Sequence, residues 1–206
     1  MTITSMVGIL WQRLNDVSGR QFTSSLLVDA LNVAQTDVAM ALHPVYLGEL
    51  QYTDTSKVAT SGIYAVTSLT QQTVLGGQAG VLQVIDTNTQ LELTHVDAQE
   101  IGAYHNNYYL AGQTWDPRWY VKSGSIYLLP QATRTIDIVY LTAPITMVYS
   151  PPTSCELNAD LHNIVLLLAE AQCLREDGKH PEAANAAELA AKNRIDALNA
   201  PYRPKE

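Results

Sequence analysis

The stretch Leu157–Leu198 reads LNADLHNIVLLLAEAQCLREDGKHPEAANAAELAAKNRIDAL, and it predicts two helices joined by the short break GKHP. Gly178 follows the first helix and Pro181 begins the second, which are the positions that glycine and proline favour at helix ends. Because the connection is short, the two helices should be antiparallel neighbours. The chain is therefore expected to contain a C-terminal helical hairpin.

Alanine dominates the apolar face of the second helix. Small residues recur there at three- and four-residue steps: Ala183, Ala184, Ala187, Ala190 and Ala191, followed by Leu198. Such a face allows close backbone approach but buries little area, so the hairpin must pack on the rest of the domain or on a neighbouring copy. We expect Ala187 and Ala190 to lie in a close helix–helix contact and in a partner interface.

Helical patterns also occupy the N-terminal part of the chain. A stripe of apolar residues predicts a first helix over Ile3–Val17. A second helix is predicted to start near Ser24 or Ser25, because a serine side chain can cap the first turn. His43-Pro44 should end it, since the residue before proline disfavours the helical region.

From Glu49 to Thr142 the apolar period falls from about 3.6 to 2, which indicates strands. The candidates are Gln51-Tyr52, Val58–Val66, Val81–Asp86, Leu91–Val96, Trp119–Lys122, Ser125–Leu129 and Arg134–Thr142. Lys122–Ser125 reads as a hairpin turn. In the last strand Ile136, Ile138 and Tyr140 should face the core, while Val139 and Leu141 indicate that the second face is also partly covered.

These patterns predict an α+β fold. N- and C-terminal helices should pack as a small helical bundle, with a mainly antiparallel β lobe between them. The expected parts are N-terminal helices over 1–48, the β lobe with exposed loops over 49–149, and the hairpin with its tail over 150–206. Together they make one domain with an insertion.

Composition excludes several classes of function. The formal net charge is −8, the sequence pI is about 5.0 and no basic run occurs, so specific nucleic-acid recognition is not expected. Two cysteines, Cys155 and Cys173, are too few for a disulfide framework, and Cys173 is expected to be a buried apolar residue. The first residues do not read as a signal peptide, and no apolar window is long enough for a transmembrane span.

No catalytic, cofactor-binding or metal-binding motif stands out, and the chain is not expected to be an enzyme. Glu92, His95 and Asp97 are spaced like metal ligands, but residues of different parity on a strand do not share a face. His43 lies in a predicted loop without a fixed partner. Asp160, near a helix start, is explained by the helix dipole.

The densest aromatic stretch, Tyr104–Tyr120, has two interpretations. It contains Tyr104, Tyr108, Tyr109, Trp115, Trp119 and Tyr120. One interpretation is a contact surface for a glycan or a receptor, with Trp115 and Trp119 as candidates for stacking. The other is a long loop packed down by its own aromatic side chains. Its Asn, Gly and Asp-Pro signals favour a loop in either case.

In order and residue type, the two ends of the chain resemble head-to-tail adaptor (connector) proteins of tailed bacteriophages. The resemblance lies in the strand pair ending IYLLPQATRTIDIVYLTAP (126–144), in SPPTSCELNADLHNIVLLLAEAQCLRED (150–177) and in the second hairpin helix. TSSLLVDALNVAQTDVAMAL (23–42) also fits an N-terminal helix of that family. The likeness covers about half of the chain.

The resemblance implies a non-enzymatic subunit of a ring, usually twelvefold, that joins the portal at the capsid vertex to the tail and lets DNA pass. Its partners would be other copies, the portal protein and downstream tail or neck proteins, without a membrane and without sequence-specific DNA binding. The location would be the virion neck, after assembly in the host cytoplasm. The alternative is a glycan- or receptor-binding module of a phage tail.

The same resemblance directs attention to the C-terminal tail, because the family's hairpin or tail commonly touches the portal. Here the tail is Asn199–Glu206, and its candidate contact residues are Pro201, Tyr202, Arg203 and Pro204. Two prolines should hold it extended. In a free subunit we expect this tail to be mobile, since little but Tyr202 can be buried.

Overall fold

The computed structural model describes residues 1–16, 18–71, 75, 80–97, 100–101 and 116–203. They form an α+β fold, which confirms the sequence prediction: helices come from both ends of the chain and strands from its middle. The chain divides into two compact units. Met1–Leu50 and Ala143–Glu206 make the helical unit, and Gln51–Thr142 makes the β unit.

The helical unit is organised around one central helix. Its helices are α1 (Ile3–Arg13), α2 (Ser24–Ala41), α3 (His162–Asp177) and α4 (Pro181–Asn199). Helix α3 packs against the other three. Residues on several of its sides are buried, among them Ile164, Leu166 and Cys173, so its sequence lacks a wide polar face. The buried Cys173 confirms the sequence interpretation.

A threonine caps the start of both N-terminal helices. The side chain of Thr2 accepts the Ser5 amide, and that of Thr23 accepts the Leu26 amide. The predicted caps Ser24 and Ser25 are therefore wrong by one or two positions, since Thr23 serves the same purpose. Helix α1 also ends earlier than predicted, at Arg13 rather than Val17.

A buried carboxylate builds the loop between α1 and α2. Asp16 accepts the amides of Gln21 at 2.8 Å and Phe22 at 2.7 Å, together with weaker bonds from Ser18 and Arg20 at 3.2 Å. The Phe22 amide is the main reason that the pKa of Asp16 is lowered, because it stabilises the charged form. The loop conformation therefore depends on an ionised aspartate.

The β unit contains two four-stranded sheets among the described residues. The first is antiparallel, with strands β1 (Gln51–Ala59), β8 (Arg134–Leu141), β3 (Val81–Asp86) and β4 (Leu91–Glu92) in that order. The second has the order β2 (Ile63–Ala65), β7 (Ser125–Leu129), β6 (Arg118–Lys122) and β5 (Thr94–His95). Only the β5–β6 pair among these strands is parallel.

One apolar cluster joins the two sheets. Ile136, Ile138 and Tyr140 from β8 are fully buried in it beside Trp119 and Leu128 from the second sheet. Val139 and Leu141 are buried as well. The alternation predicted for the last strand and the partial cover of its second face are therefore both confirmed.

The predicted strand Val58–Val66 is wrong, because the chain turns at residues 60–62. Gly62 has φ +74°, and a Cβ there would lie 2.9 Å from the Gln131 Cα. A residue with a side chain would be strained at this turn, which separates β1 from β2. The hairpin turn predicted at Lys122–Ser125 is confirmed, since Lys122 pairs directly with Ser125.

A buried ion pair ties the end of β3 to β8. Arg134 Nη1 lies 2.7 Å from Asp86 Oδ2, and Asp86 is 1 % exposed. The other Asp86 oxygen accepts the amides of Asn88 at 2.9 Å and Thr89 at 3.3 Å. One carboxylate therefore both neutralises Arg134 and shapes the turn after β3.

Candidate functional site

The C-terminal hairpin forms as the sequence predicts. Helix α3 ends at Asp177 and is followed by Gly178, whose φ of +70° is the left-handed conformation common just after a helix. Pro181 is the first residue of α4. Among the described helices, α3 and α4 share the most extensive contact. Helix α4 carries or directly precedes the candidate contact residues.

Helix α4 has two different apolar faces. Ala184, Ala187, Ala191 and Ile195 are buried. The opposite face carries a second line of mostly small residues, which we call the outer stripe: Ala183, Ala186, Leu189, Ala190 and Ala197. Leu189 is 59 % exposed and Ala190 is half-buried. The two candidate alanines therefore differ, since Ala187 lies inside the subunit and Ala190 at the edge of its surface.

The tail is docked on the helical unit as far as Arg203. Ala200–Tyr202 forms a short helical turn, and the Tyr202 ring stacks on His43 with 4.1 Å between ring centroids. Tyr202 also meets Tyr46 edge-on, and Arg203 pairs with Asp196 at 2.5 Å. The prediction of a mobile tail is therefore wrong as far as Arg203, because the rings of His43 and Tyr46 provide an aromatic surface on which Tyr202 packs. Pro204 lies outside the described residues.

Asn199 joins the C-terminal ends of α2 and α4. Its side-chain amide donates to the Ala41 carbonyl at 2.7 Å, and its oxygen accepts the His43 amide at 2.9 Å. The Tyr46 hydroxyl donates to the Leu198 carbonyl at 3.1 Å. These bonds satisfy backbone groups that helix ends leave unpaired. His43, which was expected to lack a fixed partner, is held in place by them.

Replacing Tyr202 with alanine should lower the free energy of unfolding by about 1 kcal/mol, the typical contribution of an aromatic pair. Tyr202 remains 45 % exposed, so a larger loss is not expected. Chemical denaturation followed by circular dichroism measures the change. Tyr202→Phe keeps the ring contacts and is the matched control. Equal stability of the alanine variant and the wild type would show that the tail is not docked in solution.

A groove runs between α2 and α4, with α3 as its floor. We call it the α2–α4 groove. Two adjoining cavities of about 360 and 210 Å³ form it. Its lining comprises Ala34, Asp37, Ala41, Leu168, Ala171, Gln172, Arg175, Glu188, Lys192, Ile195 and Asp196. The groove combines an apolar floor with charged rims, and periodicity alone did not reveal it because three helices contribute.

The candidate metal ligands Glu92, His95 and Asp97 do not meet as a group of three. Within the described ranges no group of three or more His, Cys, Asp or Glu side chains could hold a metal ion. His95 lies 4.0 Å from Asp97 and packs its ring on Trp119. Burial raises the pKa of Cys173 to about 12, which keeps its thiol protonated at neutral pH.

The aromatic stretch is only partly described. Residues 102–115, which include Tyr104, Tyr108, Tyr109 and Trp115, lie outside the described ranges. Trp119 and Tyr120 belong to β6 and are 2 % and 4 % exposed, so the strand predicted at Trp119–Lys122 is confirmed and the prediction of a loop as far as Tyr120 is wrong. The Trp119 indole donates to the Leu93 carbonyl at 3.0 Å. Trp119 is therefore a core residue and not a stacking platform for a glycan.

Comparison with protein-family models identifies a family that covers nearly the whole chain. A family model described as SU10 adaptor protein matches residues 1–205. No curated protein matches the chain. Over the part of the chain that the structure describes, none of the helices has the length and apolarity needed to cross a membrane.

Proposed function

Because the chain belongs to the SU10 adaptor protein family, a family of phage structural proteins, we propose that it is a subunit of the ring that joins the portal to the tail. The family match over residues 1–205 is the observation that carries the proposal. The ring sits at the virion neck after assembly in the host cytoplasm, and the subunit acts there without catalysis. Its partners are other copies, the portal protein and the next tail or neck protein.

We propose that the docked tail and its surroundings contact the portal. Tyr202 is 45 % exposed although it stacks on His43, and Arg203 reaches solvent beside Asp196. Tyrosine and arginine are the residue types that most often anchor protein interfaces. Since Asn199 and Tyr46 fix the position of this tail, a partner would meet a largely preformed surface, which lowers the entropy cost of binding.

The charge of the chain supports passage of DNA without capture. The formal net charge is −8, and like charge along a channel repels phosphates. Tight non-specific binding would require clustered lysine and arginine side chains that displace counterions. Several basic residues of the helical unit are instead paired with acids, for example Arg175 and Lys192 with Glu188.

The experiment that tests the proposal mixes the purified protein with portal rings from the same phage. Sucrose-gradient sedimentation should show both proteins in one band, and cryo-electron microscopy of that band should show a ring of this chain on the portal. Portal rings from an unrelated phage are the control. Absence of any complex with the cognate portal, or location of the chain elsewhere in the virion by cross-linking, would overturn the proposal.

A further inference from the structure

One acidic side chain in the α2–α4 groove has no partner among the residues that the structure describes. Of the three acids in the lining, Glu188 pairs with Arg175 and Lys192, and Asp196 pairs with Arg203. The side chain of Asp37, on the α2 rim, makes no salt bridge or hydrogen bond within the described residues. The groove therefore presents apolar lining residues, Leu168, Ile195 and alanines, beside this negative charge.

The outer stripe of α4 complements the groove in shape and in charge. Its alanines and Leu189 form a ridge of mostly small side chains, interrupted by the exposed Asn193, and a neighbouring helix can approach it closely. Arg194 flanks the ridge, one helical turn after Ala190, and is exposed. Across the described ranges, Arg194 has no acidic partner. The ridge therefore combines small apolar side chains with a positive charge that is free to pair with another molecule.

We propose that the outer stripe of one copy lies in the α2–α4 groove of the next copy, with Arg194 of one facing Asp37 of the other. This contact rests on the proposed function, because it specifies how copies meet in the ring. The occupant of the groove is a second copy of this chain. Its alanines lie over the apolar floor, and its arginine neutralises the one acid of the groove that lacks a partner among the described residues.

The positions of the two surfaces favour a ring over a closed dimer. Ala186 and Ile195 are nine residues apart, which is two and a half helical turns, so they point to opposite sides of α4. The stripe thus faces away from the groove of its own subunit. A contact between two different surfaces is head-to-tail, and repetition of such a contact generates a ring when the rotation closes.

Charge reversal tests the pairing. Asp37→Lys and Arg194→Glu each place like charges in the contact, which should raise the protein concentration required for assembly by about tenfold or more. Carrying both changes in one chain restores opposite charges and should return that concentration to near the wild-type value. Assembly is measured by mass photometry, with the free protein and with cognate portal rings. Thermal unfolding of each variant checks that the exposed substitutions leave the fold intact.

An equimolar mixture of the two single variants gives a second measurement. Each groove altered by Asp37→Lys can then receive a stripe altered by Arg194→Glu, and each unchanged groove an unchanged stripe. The mixture should therefore assemble where each variant alone does not. Glu92→Lys and Lys122→Glu, at exposed sites in the β unit, are the matched controls and should assemble normally.

The outcomes separate this inference from the proposed function. If rings form on the portal equally well with either single variant, the groove contact is wrong and the ring proposal stands. Failure of the double variant and of the mixture to recover assembly also contradicts the pairing. If the wild type forms no assembly at any concentration and none on the portal, both proposals fail.

Discussion

Asp86→Ala should destabilise the protein by about 3–5 kcal/mol, the range found when one partner of a buried ion pair is removed. The substitution leaves the Arg134 guanidinium, whose side chain is 15 % exposed, without its counter-ion. Arg134 Nε already has no hydrogen-bond partner among the described residues, so the remaining charge has little compensation. The amides of Asn88 and Thr89 lose their acceptor as well. Chemical denaturation at neutral pH measures the loss.

Glu92→Ala is the control, because Glu92 is exposed on the adjacent strand, and such surface changes usually stay within about 0.5 kcal/mol. A loss below about 1 kcal/mol for Asp86→Ala would contradict the buried pair. The double variant Asp86→Ala with Arg134→Met removes both charges and should recover part of the stability, since no buried charge is then left unpaired.

The Asp86 pair also predicts a pH dependence. Burial by itself raises the pKa of Asp86, but the Arg134 guanidinium and the two amides outweigh it, so the pKa is lowered. The stabilisation is complete above the pKa of an unfolded aspartate, about 3.9, and is lost as the pH falls through the lower folded value. Wild-type protein should therefore lose more stability than Asp86→Ala when the pH is lowered below about 4. Parallel curves for the two proteins would contradict this coupling.

The sequence predicted the elements that local patterns specify. The C-terminal hairpin, with Gly178 at its break, and the Lys122–Ser125 turn were recognisable because they depend on neighbouring residues. The Asp86–Arg134 pair joins residues 48 positions apart, and no local periodicity indicates such a contact. Trp119 was placed both in a predicted strand and in the predicted aromatic loop, because the contacts that bury it come from strands distant in sequence.

In the candidate site, too, local features could be predicted from the sequence and contacts between distant segments could not. Tyr202 and Arg203 could be chosen from residue type, and alanine spacing indicated that α4 packs closely. The stack of Tyr202 on His43 and the two bonds of Asn199 to the end of α2 join segments about 156 residues apart. The α2–α4 groove likewise needs three helices in place. Residue type suggested the candidates for an interface, and tertiary structure decides which of these candidates are exposed.

Alanine spacing on α4 leads to the second large expected effect. Ala191→Leu should lower the stability of the free subunit by about 1–3 kcal/mol, because Ala191 is fully buried and added methylenes overpack a filled contact. Ala190→Leu, one position along the same helix and half-buried, is the matched control and should cost less than about 1 kcal/mol. Thermal and chemical unfolding of both variants measure the difference. Equal stabilities would mean that α4 does not pack through its Ala184–Ala191 face. Loss of ring assembly in a stably folded Ala190→Leu protein would instead separate the outer stripe, as a surface between copies, from the buried face that holds the hairpin together.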